Sequence, residues 1–333
     1  MKKIIKTTAF SLAIALFAAV MPVTAAAKDN SVILGGQPFG VKFYNDGVMV
    51  IELEEFFNGS HYVCPAKEGG IEVNDVIKKV NGKEIKTNED LMEAAADCGG
   101  KNMSFIIERN GKELSKNITP QKNTVGSYLL GAWVRDSCAG IGTVTYYSPE
   151  ENYFAALGHG ICDRDTGAMM PLGEAELVSA KISSTEKSST GKAGSLNGYF
   201  TGNAIGKVTK NTANGIYGTI FDNNVPDGER IEIADFDEIT TGDAQVITTV
   251  HGEEPESYSL KITGIRNDDP RNNENFVIKV TDERLLVECG GIVQGMSGSP
   301  IVQNGKLVGA VTHVLLNNPE EGYGVAAQFM VCS

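Results

Sequence analysis

From about residue 123 to its end, the chain holds no stretch that keeps a helical period. It breaks instead into short apolar runs separated by Gly, Asn and Asp clusters. Runs of that length, joined by turn residues at close intervals, can bury their apolar side chains together only as an all-β barrel or sandwich. Residues 139–147 give one such strand, Ser148-Pro149-Glu150-Glu151-Asn152 its turn, and residues 153–158 the returning strand. That strand delivers His159 between two glycines, a placement suited to an imidazole projecting into a cleft.

Within this half lies Gly295-Met296-Ser297-Gly298-Ser299-Pro300. Two glycines beside a serine let the backbone turn sharply and approach a substrate carbonyl. In proteases of the chymotrypsin-like two-barrel fold, such a loop presents a nucleophilic hydroxyl. It also aims the N–H groups of the serine, and of the glycine two residues earlier, at the developing oxyanion. Ser297 is then the expected nucleophile, with Gly295 and Ser297 amides as the oxyanion hole.

The first third of the chain has a different pattern. Gly35-Gly36-Gln37-Pro38-Phe39-Gly40-Val41-Lys42-Phe43 is a glycine-rich loop running into an alternating strand. Asn81-Gly82 and Asn110-Gly111 lie between apolar flanks as hairpin turns. Thr87 caps an expected helix, with Asp90 near the capping-box position and Leu91, Ala94 and Ala95 on its buried face. The run Pro65-Ala66-Lys67-Glu68-Gly69-Gly70-Ile71-Glu72-Val73-Asn74-Asp75-Val76-Ile77, continuing to Val80-Asn81-Gly82, resembles bacterial PDZ domains. That resemblance implies a peptide added as a strand at a sheet edge, its carboxylate held by loop amides. The corresponding loop here is Gly36-Gln37-Pro38-Phe39-Gly40, with Val41 opening the edge strand.

A general base needs an acid to hold its tautomer. Asp163 and Asp165 follow His159 closely; Asp163 is near in sequence to reach the far ring nitrogen, and Asp165 reads as a turn residue. Asp282 is the preferred candidate, although it stands only 15 residues before Ser297 (297 − 282). Leu157-Gly158-His159-Gly160-Ile161-Cys162-Asp163, Thr281-Asp282, and Gly290-Gly291-Ile292-Val293-Gln294-Gly295-Met296-Ser297-Gly298-Ser299-Pro300-Ile301 are similar to the stage IV sporulation protein B (SpoIVB) peptidase family. So is Gly309-Ala310-Val311-Thr312-His313-Val314. The resemblance implies a triad of His159, Asp282 and Ser297. It also implies a role in endospore formation: cleavage of a membrane-held regulator to release processing of a late mother-cell sigma factor. A PDZ unit on a short linker before the peptidase points to recruitment of substrates that include other copies of the chain, cleaved near the N-terminus.

The expected architecture is mainly β. A signal peptide or anchor (1–27) precedes an α+β PDZ domain (32–120), followed by a chymotrypsin-like two-barrel serine peptidase domain (122–333). His313, with Thr312, lies on an apolar strand after the nucleophile and is a candidate for the specificity pocket. The start Met1-Lys2-Lys3-Ile4-Ile5-Lys6, an apolar stretch over 9–20 and Ala25-Ala26-Ala27 form an export signal or an uncleaved anchor. The resemblance places the mature chain between the forespore and mother-cell membranes, with membrane contact only through that segment. A net charge of −13 argues against nucleic acid as a partner. Six cysteines without a C-x-x-C pair argue against a zinc site, and leave disulfides and buried thiols both open. No metal or cofactor is expected; the partners are protein substrates and peptides held by the PDZ domain. The alternatives are a PDZ scaffold with an inactive protease-like half, or an HtrA-like quality-control protease.

Overall fold

The computed structural model describes residues 31–221, 224–266 and 268–331. The expected signal segment and Cys332 lie outside the described residues. β1 (Ser31–Leu34) leads through Gly35–Gln37 into β2 (Pro38–Leu53), a strand long enough to serve two cores. Phe39, Val41 and Phe43 alternate into one core, whereas Val48 and Val50, beyond Gly47 (φ 103°), belong to another.

The second of these cores is the PDZ-like module. It comprises the end of β2, α1 (Pro65–Glu68), β3 (Val76–Val80), α2 (Asn88–Asp97), β4 (Met103–Arg109) and β5 (Lys112–Ile118). Helix α2 begins as its sequence dictates. Thr87 Oγ1 accepts the Asp90 N–H, and the Asp90 carboxylate accepts the Thr87 N–H, closing a capping box. Leu91 and Ala95 pack from α2 onto Ile77, Phe105 and Ile107. Asn81-Gly82 and Asn110-Gly111 both take the positive φ values that a tight hairpin needs.

The chain leaves this module on β6 (Ala132–Ser148), which is as long as β2 and antiparallel to it over nearly its whole length. The ribbon shifts register between Arg135 and Ser137, where Asn45 Nδ2 donates to the Arg135 carbonyl, and there it passes from one core to the other. Beyond that point β2 and β6 join β7 (Tyr153–Ala156), β8 (Leu172–Glu186), β9 (Ser195–Thr212) and β10 (Gly215–Ile220). The pairings run β2–β6–β7–β10–β9–β8 and back to β2, a closed ring of six strands. A second closed barrel follows in the order β11 (Gly242–Thr248), β12 (Glu256–Ile265), β13 (Phe276–Val280), β16 (Glu321–Ala326), β15 (Lys306–Val314) and β14 (Pro300–Gln303). Helix α3 (Glu283–Cys289) separates β13 from the nucleophile loop.

The mainly-β, two-barrel expectation is therefore met, but the boundary near residue 122 does not divide the chain cleanly. The first barrel takes one of its six strands from residues 38–45, upstream of the PDZ-like module, so that module is spliced into the barrel between β2 and β6. The loop expected to hold a peptide carboxylate is correspondingly misplaced. Gly36 N–H donates to the Val144 carbonyl, the Gly36 carbonyl accepts from Thr249 Oγ1, and Phe39 is 1% exposed in the barrel core. Gly36, Gln37, Pro38, Phe39, Gly40 and Val41 thus build the barrel and are not a peptide site of the module. The reason is register: residues 39–44 of β2 are paired on both sides by barrel strands, and only the part from Val48 onward belongs to the module.

Candidate active site

The nucleophile loop belongs to the second barrel and is held by the first. Thr143 on β6 donates through its Oγ1 to the Gly295 carbonyl (2.8 Å) and through its N–H to the Ser297 carbonyl (3.0 Å). Thr145 Oγ1 donates to the Gly298 carbonyl (2.7 Å), and the Gly298 N–H returns to the Val311 carbonyl on β15. With these carbonyls tied down, the loop turns its other face to the cleft. Met296 N–H points back to the Val293 carbonyl, but among the described residues neither the Gly295 nor the Ser297 N–H has a protein acceptor. Two unspent amides flanking a serine are what an oxyanion site requires. The conformation depends on glycine: Gly298 has φ 94°, and an added Cβ would lie 2.1 Å from the Thr143 carbonyl oxygen.

His159 approaches from the first barrel. β7 ends at Ala156, and Leu157 (φ 70°) and Gly158 (φ 69°) bend the chain in the left-handed region, turning the histidine out of the sheet. His159 and Ser297 line one cleft of about 1230 Å³ between the barrels, together with Gly295, Thr312 and His313. The imidazole Nδ1 is 2.8 Å from the Gly160 carbonyl. That bond makes Nδ1 the protonated nitrogen and leaves Nε2 as the acceptor. Burial pushes the His159 pKa below the ordinary histidine value; the Gly160 carbonyl opposes this in part, and the neighbouring His313 adds to the fall. The ring is therefore neutral at pH 7, the state a general base needs. Ser297 Oγ donates to the Thr312 carbonyl (3.0 Å), and no hydrogen bond joins it to His159 in this conformation.

The structure does not bring Asp282 to the imidazole. Asp282 is the N-cap of α3, accepting the Arg284 N–H (3.0 Å) and the Ser259 N–H (3.2 Å), and its carboxylate pairs with the Arg284 guanidinium. It is not among the residues lining the cleft. The reason is local: a carboxylate immediately before a helix satisfies that helix's orphan amides. The Arg284 guanidinium holds its pKa below the usual carboxylate range, aided by the Ser259 and Arg284 amides against the opposing effect of burial. Asp163 does line the cleft, yet it too is spent. It accepts from Arg135 Nε and from the Asp165 and Thr166 N–H groups, while Asp165 takes the other side of the same guanidinium.

His313 stands at the cleft wall with its ring 5.3 Å from that of His159, tilted by 32°. Thr312 contributes its carbonyl to the cleft, whereas its hydroxyl lies in bonding distance of the Asn273 and Tyr323 carbonyls and is buried. Thr143 and Thr145 escaped the sequence reading because alternating threonines in a strand are ordinary β composition. Among the described residues, five cysteines are free thiols, and no three His, Cys, Asp or Glu side chains cluster closely enough to hold a metal ion.

A family model described as SpoIVB peptidase S55 matches residues 126–331. The "Probable protease eep" of Enterococcus faecalis is 36% identical over 67 residues, 20% of this chain and 16% of that protein. The chain thus matches under a fifth of that relative's length. Among solved structures, the Rv3671c protease of M. tuberculosis in its active form aligns at 14% identity and a TM-score of 0.34, covering 57% of this chain and 70% of that one. A PDZ domain of an SdrC-like protein from Listeria monocytogenes aligns at 16% identity and a TM-score of 0.22, covering 27% of this chain and 87% of that one.

Proposed function

The chain belongs to the SpoIVB peptidase S55 family, and on that premise we propose that it is an exported serine endopeptidase of endospore-formation signalling. The observation that carries the peptidase reading is the cleft itself. A serine from one barrel and a neutral histidine from the other face the same space, beside two unspent backbone amides.

A peptide laid in the cleft brings its scissile carbonyl to Ser297. The hydroxyl leaves the Thr312 carbonyl and turns to His159 Nε2, which takes its proton as Oγ attacks the carbonyl carbon. The oxygen gains negative charge against the Gly295 and Ser297 amides. The imidazolium then protonates the leaving amine, the C–N bond breaks, and an acyl-enzyme remains. Water, deprotonated by the same imidazole, releases the acid and restores Ser297.

The family likeness supports a membrane-held regulator as substrate, together with the chain's own N-terminal region. The basic start and apolar stretch before residue 27 support export into the space between forespore and mother-cell membranes. The PDZ-like module supports recruitment of extended peptides. Both edges of the end of β2 are taken, by β3 and by Ala132–Arg135 of β6. Of the module's open edges, the outer side of β5 and residues 132–136 of β6, the one beside α2 is that of β6, where the Asn88 N–H donates to the Asp136 carboxylate. Peptide docking there slows amide hydrogen exchange over 132–136, and protection confined to 38–43 contradicts it.

The test of the activity is self-processing. Wild type purified beside Ser297→Ala, followed by intact mass, loses its N-terminal segment while the variant does not. Equal processing in both overturns the reading.

A further inference from the structure

Among the described residues no carboxylate bonds His159, and its Nδ1 rests on a main-chain oxygen one residue away. A carbonyl in a loop orients an imidazole only if something orients the carbonyl. The peptide plane between Gly160 and Ile161 supplies the link. Because a trans peptide is planar, its C=O and N–H point in opposite directions, and fixing one fixes the other. The Ile161 N–H is taken by Asn211 Oδ1 at 2.8 Å. The same carboxamide donates through Nδ2 to the Ile161 carbonyl (3.0 Å) and the Met170 carbonyl (3.1 Å), spanning both arms of the loop that follows His159.

Asn211 sits near the end of β9, a strand of the barrel wall, so this anchor is part of the sheet and not of the loop. Gly160 lies directly on it. An added Cβ there would come within 2.7 Å of the Thr212 carbonyl oxygen and 3.3 Å of Asn211 Oδ1. A carboxamide fits the pattern, since one acceptor and two donors are used, and a carboxylate would set its charge against two carbonyls.

We propose that Asn211 is the positioning residue of this site, holding the His159 tautomer through the Gly160–Ile161 peptide in the role a triad carboxylate has elsewhere. It touches neither substrate nor the reacting atoms. The inference rests on the peptidase reading for its kinetic test but not for its structural one.

The groups facing the imidazole are the Gly160 carbonyl and His313, with Asp163 already engaged by Arg135. Full-length Asn211→Ala and Asn211→Asp proteins are compared with wild type. In Asn211→Ala, kcat on a peptide substrate falls by about 10- to 100-fold while KM changes little, as for a misplaced catalytic group. The acidic limb of kcat/KM moves to lower pH, because a hydrogen bond that stabilises the imidazolium is lost. Asn211→Asp keeps the acceptor for the Ile161 N–H, so it retains more activity, and its charge moves the limb to higher pH. A loss that is uniform with pH and tracks the fraction unfolded marks a merely structural residue and overturns the proposal.

Nitrogen NMR of His159, assigned against His159→Gln, reads the tautomer without any turnover. Wild type is protonated at Nδ1 and Asn211→Ala is a mixture of tautomers; an unchanged tautomer overturns the proposal even if the chain proves not to be a peptidase. If Asn211→Ala does not fold, Asn211→Asp carries both readouts.

Discussion

Thr143 Oγ1 donates to the Gly295 carbonyl across 152 positions of chain, so a strand of the first barrel holds the nucleophile loop of the second. The two barrels thereby share one cleft: Gly295 and Ser297 line it with their carbonyls pinned from the first barrel and their amides without a protein acceptor among the described residues. Thr143→Val keeps the side chain's shape and removes that bond. Urea unfolding should show a loss of about 1 kcal/mol, the net worth of a part-buried hydrogen bond. Hydrolysis per folded molecule should also fall, since a loosened loop no longer presents both amides.

Gly298→Ala is a sharper perturbation of the same loop. The left-handed φ of 94° and the 2.1 Å approach to the Thr143 oxygen leave no place for a methyl group. Backbone strain alone costs about 1–3 kcal/mol, and the clash adds to it. Thermal unfolding is expected to show a clearly lowered midpoint together with near-complete loss of hydrolysis.

Asp282→Ala separates a cap from a catalytic acid. Removing an N-cap carboxylate costs about 1 kcal/mol, and kcat/KM of the folded fraction should stay within about threefold, far less than a lost triad acid produces. The sign of its pH linkage is fixed by its lowered pKa. Asp282 stabilises the fold above the pKa of an unfolded aspartate, and that contribution is lost as pH falls through the lower folded value. Denaturant midpoints of wild type and variant should therefore converge in acid. A fall in kcat/KM of a thousandfold or so with an unchanged midpoint would restore Asp282 to the mechanism.

The sequence carried the chemistry further than the architecture. Ser297 and His159 announce themselves through the glycines that their backbone conformations need, and Thr87 and Asp90 form the capping box their spacing predicts. Residues 36–41 were misleading because a glycine-rich loop before an alternating strand looks the same whether that strand edges a peptide groove or walls a barrel. Only the pairing of residues 39–44 with both β6 and β8 decides it. Asp282 reads two ways for a related reason: a Thr-Asp before a helix satisfies a capping role and a family motif equally well, and the structure shows the capping role. Asn211 gave no signal at all, since its partners are main-chain atoms 41 and 50 positions away.

The depressed pKa of His159 sets the acidic limb of the rate. A base of lowered pKa stays unprotonated to lower pH, so kcat/KM should fall only below the ordinary histidine value of about 6.5. The same group links to stability. Its neutral form is favoured in the fold, so the contribution is present above the unfolded pKa and is lost as pH falls through the folded one. A pH–rate profile with its acidic midpoint above 7 contradicts this assignment.

Covalent capture of the nucleophile tests the central claim most directly. The full chain is treated with a fluorophosphonate, and the modified residue is located by peptide mass spectrometry in wild type, His159→Ala and Ser297→Ala. The adduct is expected on Ser297 in wild type, formed at least about a hundredfold more slowly without His159, and absent without Ser297. An adduct on another serine, or one that forms equally fast without the imidazole, contradicts the account.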